Sequence, residues 1–185
     1  MNWMRACGAG FGFLLGLVLA IAAASAGTDE TIKAFASWAG RGQVFQTGPD
    51  QATFVGSFTG MIFVDTEKGP IDAGFMVCPA ILTLNLKDGT QEGKGRCTIS
   101  AKDGARIYAD LSCKGVHLLG CNGDFTFTAG TDRFAGIQGG GPITIRSGLQ
   151  DQVLGDGNMI QETAGGIIVW PKLHYKLPDN PPASQ

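Results

Sequence analysis

Charge is scarce in this chain: 14 lysines and arginines and 16 aspartates and glutamates stand among 185 residues, with two histidines. No run of basic residues forms a stripe that could follow a phosphate backbone, which excludes nucleic acid as a partner. C-x-x-C is absent, and the cysteines are read as disulfide partners rather than ligands, so no metal site is implied. The marks of serine hydrolases (G-x-S-x-G), zinc proteases (H-E-x-x-H) and EF-hands are missing too. Gly139-Gly140-Gly141 could cradle a phosphate only by opening a helix. Pro142 and the alternation of Ile143 and Ile145 open a strand instead, and nothing calls for a cofactor.

Glycine is plentiful, with 29 residues. Residues 124–146 organise the rest. Phe125 and Phe127 alternate with Thr126 and Thr128, and Ile143 and Ile145 alternate with Thr144 and Arg146. This is the period of strands with one buried face. Glycines inside strands suit a tightly curved sheet rather than a flat one.

The N-terminus is read apart from the fold. Arg5 is the only charge before Asp29, residues 11–24 are almost wholly apolar, and Ala24-Ser25-Ala26 supplies small residues at the two positions read by a signal peptidase. Residues 1–26 therefore read as a secretory signal peptide cleaved before Gly27, placing the protein in a periplasm or outside the cell. A retained anchor is the alternative, because residues 6–26 are nearly long enough to span a bilayer, and it would be the only membrane contact. Cys7 precedes the apolar run and is not a lipoprotein acceptor. The remainder has 13 basic and 16 acidic residues once Arg5 is lost, and is long enough for a single core. Cys78, Cys97, Cys113 and Cys121 remain, an even count that favours disulfides in an exported chain.

In chain order, residues 27–36 are expected as a lead-in, with one helical turn at most. Residues 37–175 are expected to form the β-domain, and residues 176–185, with Pro178, Pro181 and Pro182, a flexible tail. Turns are read at Gly48-Pro49-Asp50 and Lys68-Gly69-Pro70. Asp88-Gly89 is read as a two-residue hairpin loop pairing Lys87 with Thr90, which sets Cys78 one diagonal from Cys97 unless Pro79 bulges the strand. Lys102-Asp103-Gly104 reads as a three-residue loop, because only that length puts Ile99 opposite Ile107. Residues 148–157 are expected as a polar loop and 161–170 as the last strand. About eight strands in up-and-down order need closure to remove their edges. An all-β, eight-stranded antiparallel β-barrel is the expected fold, with a two-sheet β-sandwich as the alternative. Four cysteines allow three connectivities, of which 78–97 and 113–121 are preferred, the second closing residues 114–120 like a clasp.

Residues 127–139, Phe-Thr-Ala-Gly-Thr-Asp-Arg-Phe-Ala-Gly-Ile-Gln-Gly, resemble the G-G-T-G-x-F-x-G-A-x-G stretch of the allene oxide cyclase and dirigent barrel superfamily. With the Cys97…Cys113-Lys114-Gly115…Gly120-Cys121 frame, they are most similar to bacterial secreted proteins with that barrel. Asp132 replaces the usual glycine of the motif, and Ala129 its first one; aspartate tolerates left-handed backbone. The resemblance implies a compact loop over one barrel end, with Phe134 as a plug and Arg133 its polar neighbour. It also implies frequent self-association, so a homo-oligomer is expected. Plant relatives act on a fatty-acid epoxide or steer phenol coupling, but function does not travel with a fold.

The candidate site residues are few. His117, in the clasped loop, reads as a solvated histidine, with a general base as the sharper alternative. Glu162 reads as an exposed strand-end carboxylate, with an acid or base facing a cavity as its alternative. Arg133 and Phe134 are candidates for ligand contact; Arg133 more simply pins its loop through backbone carbonyls. The expected function is an exported, disulfide-stabilised, non-catalytic barrel that binds a small apolar ligand or serves as an envelope component. The alternative is a cyclase- or isomerase-like enzyme acting on a lipid or phenolic substrate in the barrel interior. A filled interior would rule out the enzyme; an open cavity holding one perturbed carboxylate would favour it.

Overall fold

The computed structural model describes residues 27–155, 157 and 159–179; the expected signal peptide and most of the tail lie outside the described residues. Eight antiparallel strands close into one barrel in sequence order. They are β1 (Asp29–Gly48), β2 (Gln51–Thr66), β3 (Gly69–Asn85), β4 (Thr90–Ser100), β5 (Arg106–Val116), β6 (Gly120–Gly130), β7 (Gln138–Leu154) and β8 (Met159–Lys176). Closure is made by β1 pairing with β8, so the sandwich alternative falls.

Interior positions combine large side chains with glycine, which is how so narrow a barrel closes. Trp38 on β1 faces Gly60 on β2 and Gly166 on β8, while Phe58 faces Gly40. A Cβ added at Gly60 or Gly166 would strike a backbone carbonyl of the neighbouring strand, Ser37 or Arg146.

The two barrel ends differ. At the end holding both described chain ends, Phe125 packs edge-on against Phe127 and Trp170, with centroids 5.7 and 5.4 Å apart. Ala34, Ala36, Ile62, Ile99, Ile143 and Leu173 complete a solid core there. The motif loop crosses this end: Asp132–Phe134 forms a 3-10 turn, with Asp132 left-handed at φ 52° and Gly136 at φ 78°. Phe134 packs on the core from that loop. At the opposite end, Ala52, Phe54 and Leu84 form only a small second cluster.

Several expectations change. Residues 29–36 are strand, not lead-in, because β8 continues to Lys176 and supplies partners down to Asp29. Residues 148–154 are also strand: Gln150, Asp151 and Gln152 pair with Ala164, Thr163 and Glu162. Polar side chains are compatible with a ladder whose backbone bonds are satisfied. The β3–β4 connection has four residues rather than two, since Leu84 pairs with Gln91 and the register continues at Val77–Thr98. Side chains hold this wider loop: Asn85 Oδ1 accepts from the Lys87 amide, Asp88 Oδ1 from the Thr90 amide, and Gly89 is left-handed at φ 71°.

That register sets Cys78 directly opposite Cys97, without a bulge, and they form a disulfide with Cα atoms 4.1 Å apart. Cys113 and Cys121 form the second disulfide, with Cα atoms 5.7 Å apart across β5 and β6. The three-residue loop at 102–104 is as expected: the Ala101 amide donates to Ala105, Ile99 faces Ile107, and Gly104 is left-handed at φ 90°. Two interior disulfides are consistent with an exported chain.

Candidate functional site

Where the second cluster leaves the barrel incompletely filled, a cavity opens at the end away from the motif loop. Trp38, Phe58, Met76, Ala164 and Ile168 form its apolar walls, and the disulfide residues Cys78, Cys113 and Cys121 also line it. Its volume is about 90 Å³, several times the roughly 10–15 Å³ needed to admit one water on the same measure. Leu118 lines it as well, and Leu119, Leu149 and Leu154 are exposed toward the same end of the barrel.

One polar group sits in this wall. Strand β8 presents Glu162, Ala164, Ile168 and Trp170 on one parity, which turns Glu162 inward with only 6% of its surface exposed. The β5–β6 turn brings His117 to it across 45 residues of sequence: Nε2 lies 3.0 Å from Glu162 Oε2. His117 Nδ1 lies 3.0 Å from Gln91 Oε1 on β4. Gln152, the β7 register partner of Glu162, donates Nε2–H to the same Oε2 at 2.9 Å. His117 thus bridges Gln91 on β4 and Glu162 on β8 through its two ring nitrogens.

Burial is the largest influence on the Glu162 carboxyl and pushes its pKa up. Hydrogen bonds from His117 and Gln152, with the His117 charge, together outweigh it and hold the pKa below the usual 4.5. A depressed folded-state pKa contributes stability that is present above the unfolded value and lost as pH falls through the folded one. The stability difference between wild type and Glu162→Gln is therefore expected to shrink as pH falls below about 4.5. Thermal melts of both proteins across that range check it; parallel curves would contradict the carboxylate's role.

Glu162 is thus not an exposed strand-end carboxylate, nor is His117 a solvated loop histidine; each is the other's partner. Arg133 and Phe134 lie at the opposite barrel end and do not line this cavity. The Arg133 guanidinium bonds a carboxylate rather than backbone carbonyls, with Nε 2.8 Å from Asp103 Oδ2, and it lies 4.4 Å above the Phe134 ring. It therefore fastens the motif loop to the β4–β5 turn. Gln91 and Gln152 had no signal of their own in the sequence. The parity of β8, with Glu162 in step with Ile168 and Trp170, was the one clue to Glu162. Among the described residues, no cluster of three His, Cys, Asp or Glu side chains could hold a metal ion. Compared with known proteins, the chain matches no family model and no curated protein sequence.

Proposed function

We propose that this is an exported barrel that binds a small apolar molecule through the open end of its interior. The observation that carries the reading is the apolar cavity open at one barrel end, beside an otherwise solid core. The secretory pattern of residues 1–26 and the two disulfides support export. The resemblance of residues 127–139 to the allene oxide cyclase and dirigent superfamily supports a barrel whose interior is the working part. A ligand larger than the enclosed volume would seat its apolar end between Trp38, Phe58 and Ala164, with the remainder leaving past Leu118. Binding of a neutral naphthylamine dye is expected to saturate at one site, with a rise in fluorescence. Ala164→Phe places a ring in the cavity and should weaken that binding at least tenfold. No saturable binding to the wild type would defeat the reading.

A second reading, an isomerase-type enzyme, draws on the buried Glu162–His117 pair, which could accept and return a proton beside a bound ligand. Uptake of solvent deuterium by a cavity-bound ketone, lost in His117→Gln, would favour it over simple binding.

A further inference from the structure

The polar groups at the cavity opening are not evenly supplied with partners. Both ring nitrogens of His117 are engaged, by Gln91 and by Glu162. Gln152 Nε2 donates to Glu162, and Gln150 Nε2 donates to the Leu118 carbonyl at 2.7 Å. Lys94 alternates with the interior residues Gly93 and Gly95, so its ammonium group stands on the outer face of β4. Among the other lining residues the Trp38 indole N–H is sealed away without a partner, and the Gln91 amide and Ser147 hydroxyl are the neutral donors left. The His117, Gln150 and Gln152 donors are thus spent on protein acceptors.

The acceptors are not. Glu162 takes both of its hydrogen bonds on Oε2. Among the described residues none donates to Oε1, and that oxygen is not one of the polar atoms sealed away without a partner. A carboxylate oxygen with free lone pairs therefore belongs to a side chain in an apolar wall. Resting on the cavity reading above, we propose that the ligand is an uncharged apolar alcohol whose hydroxyl donates to Glu162 Oε1.

The chemistry separates this class from its neighbours. A carboxylate ligand would bring a second negative charge against Glu162 and find the His117 and Gln152 donors already engaged. An ammonium group carries three N–H donors, and burial leaves those without an acceptor unpaired at a cost. A hydroxyl brings one donor for the one open oxygen. A plain hydrocarbon would fill the walls but leave Oε1 desolvated and unpaired, which a site built for a hydroxyl penalises.

The test compares 1-hexanol, hexanoate, hexylamine and hexane on the oxidised protein at neutral pH, each displacing the naphthylamine dye. Hexanol is expected to bind roughly tenfold or more tightly than the other three, as a hydrogen bond to a charged acceptor allows. Glu162→Gln, whose amide can donate to a carboxylate, should narrow or reverse the preference for hexanol over hexanoate. Equal binding of hexane and hexanol, or tighter binding of hexanoate or hexylamine, overturns the hydroxyl assignment while leaving the cavity reading standing. Failure of the dye itself to bind the wild type removes both. The comparison on the wild type needs no variant to fold.

Discussion

Alanine at all four cysteines is expected to lower the melting temperature by roughly 10–20 °C. The Cys78–Cys97 bridge spans 19 residues and the Cys113–Cys121 bridge 8. Chain-entropy arguments give about 3 and about 2.5 kcal/mol respectively for loops of those lengths. Their sum is comparable with the whole stability of a marginal domain, about 5–15 kcal/mol, and each kcal/mol moves the melting temperature by about 2–4 °C at this size. The register adds a second consequence. Three of the four sulfur-bearing side chains line the cavity, so losing the bridges also loosens its wall and should weaken dye binding. Melts of the oxidised wild type and the two pairwise variants check this, with the 78–97 pair costing more. A drop of only a few degrees in the fourfold variant would mean that the barrel closes without them.

Trp170→Ala is expected to cost about 3–5 kcal/mol, the range for removing a large aromatic from a packed core. Trp170 is 1% exposed and meets Phe125 edge-on at 5.4 Å. It sits in the solid half of the barrel, where no neighbouring void lets the walls collapse inward. Trp38→Ala, in a residue that borders the cavity, should cost less, since part of its ring surface already faces open space. Denaturant titrations of the two variants give the ordering. The reverse order, or a cost below about 2 kcal/mol for Trp170, would show that stability is not concentrated at the motif-loop end.

The parts of this structure that were legible in the sequence are those with local chemistry. Gly104 at the third position of a hairpin loop allowed a single register for Ile99 and Ile107, and that register is the one found. The β3–β4 loop misled because Asp88-Gly89 has the composition of a tight turn. Asn85 and Asp88 instead cap a wider loop through their own side chains, which shifts the register by two residues and turns a diagonal cysteine pair into a direct one. Residues 148–154 carry few of the apolar alternations that mark a strand, yet β8 pairs with each residue from Leu149 to Leu154. The Glu162–His117 contact was invisible for a related reason. It depends on successive registers from β5 through β8, and a sequence states only the parity within each strand. Arg133 and Asp103 meet by the same kind of long-range placement, 30 residues apart.

The unequal filling of the two barrel ends divides what the chain can change from what it must keep. Phe125, Phe127, Trp170 and the loop fastened by Arg133 and Asp103 hold the cylinder shut at one end and touch little of the ligand space. Ala80, Gly93 and Ala164 line the hollow end with some of the smallest side chains in the set. Single substitutions at these three positions would redraw the volume and shape of the chamber while the closed end continues to define the fold. One scaffold of this kind can therefore diversify what it carries by drifting at a few small residues, with each trial confined to the barrel end that is least densely filled.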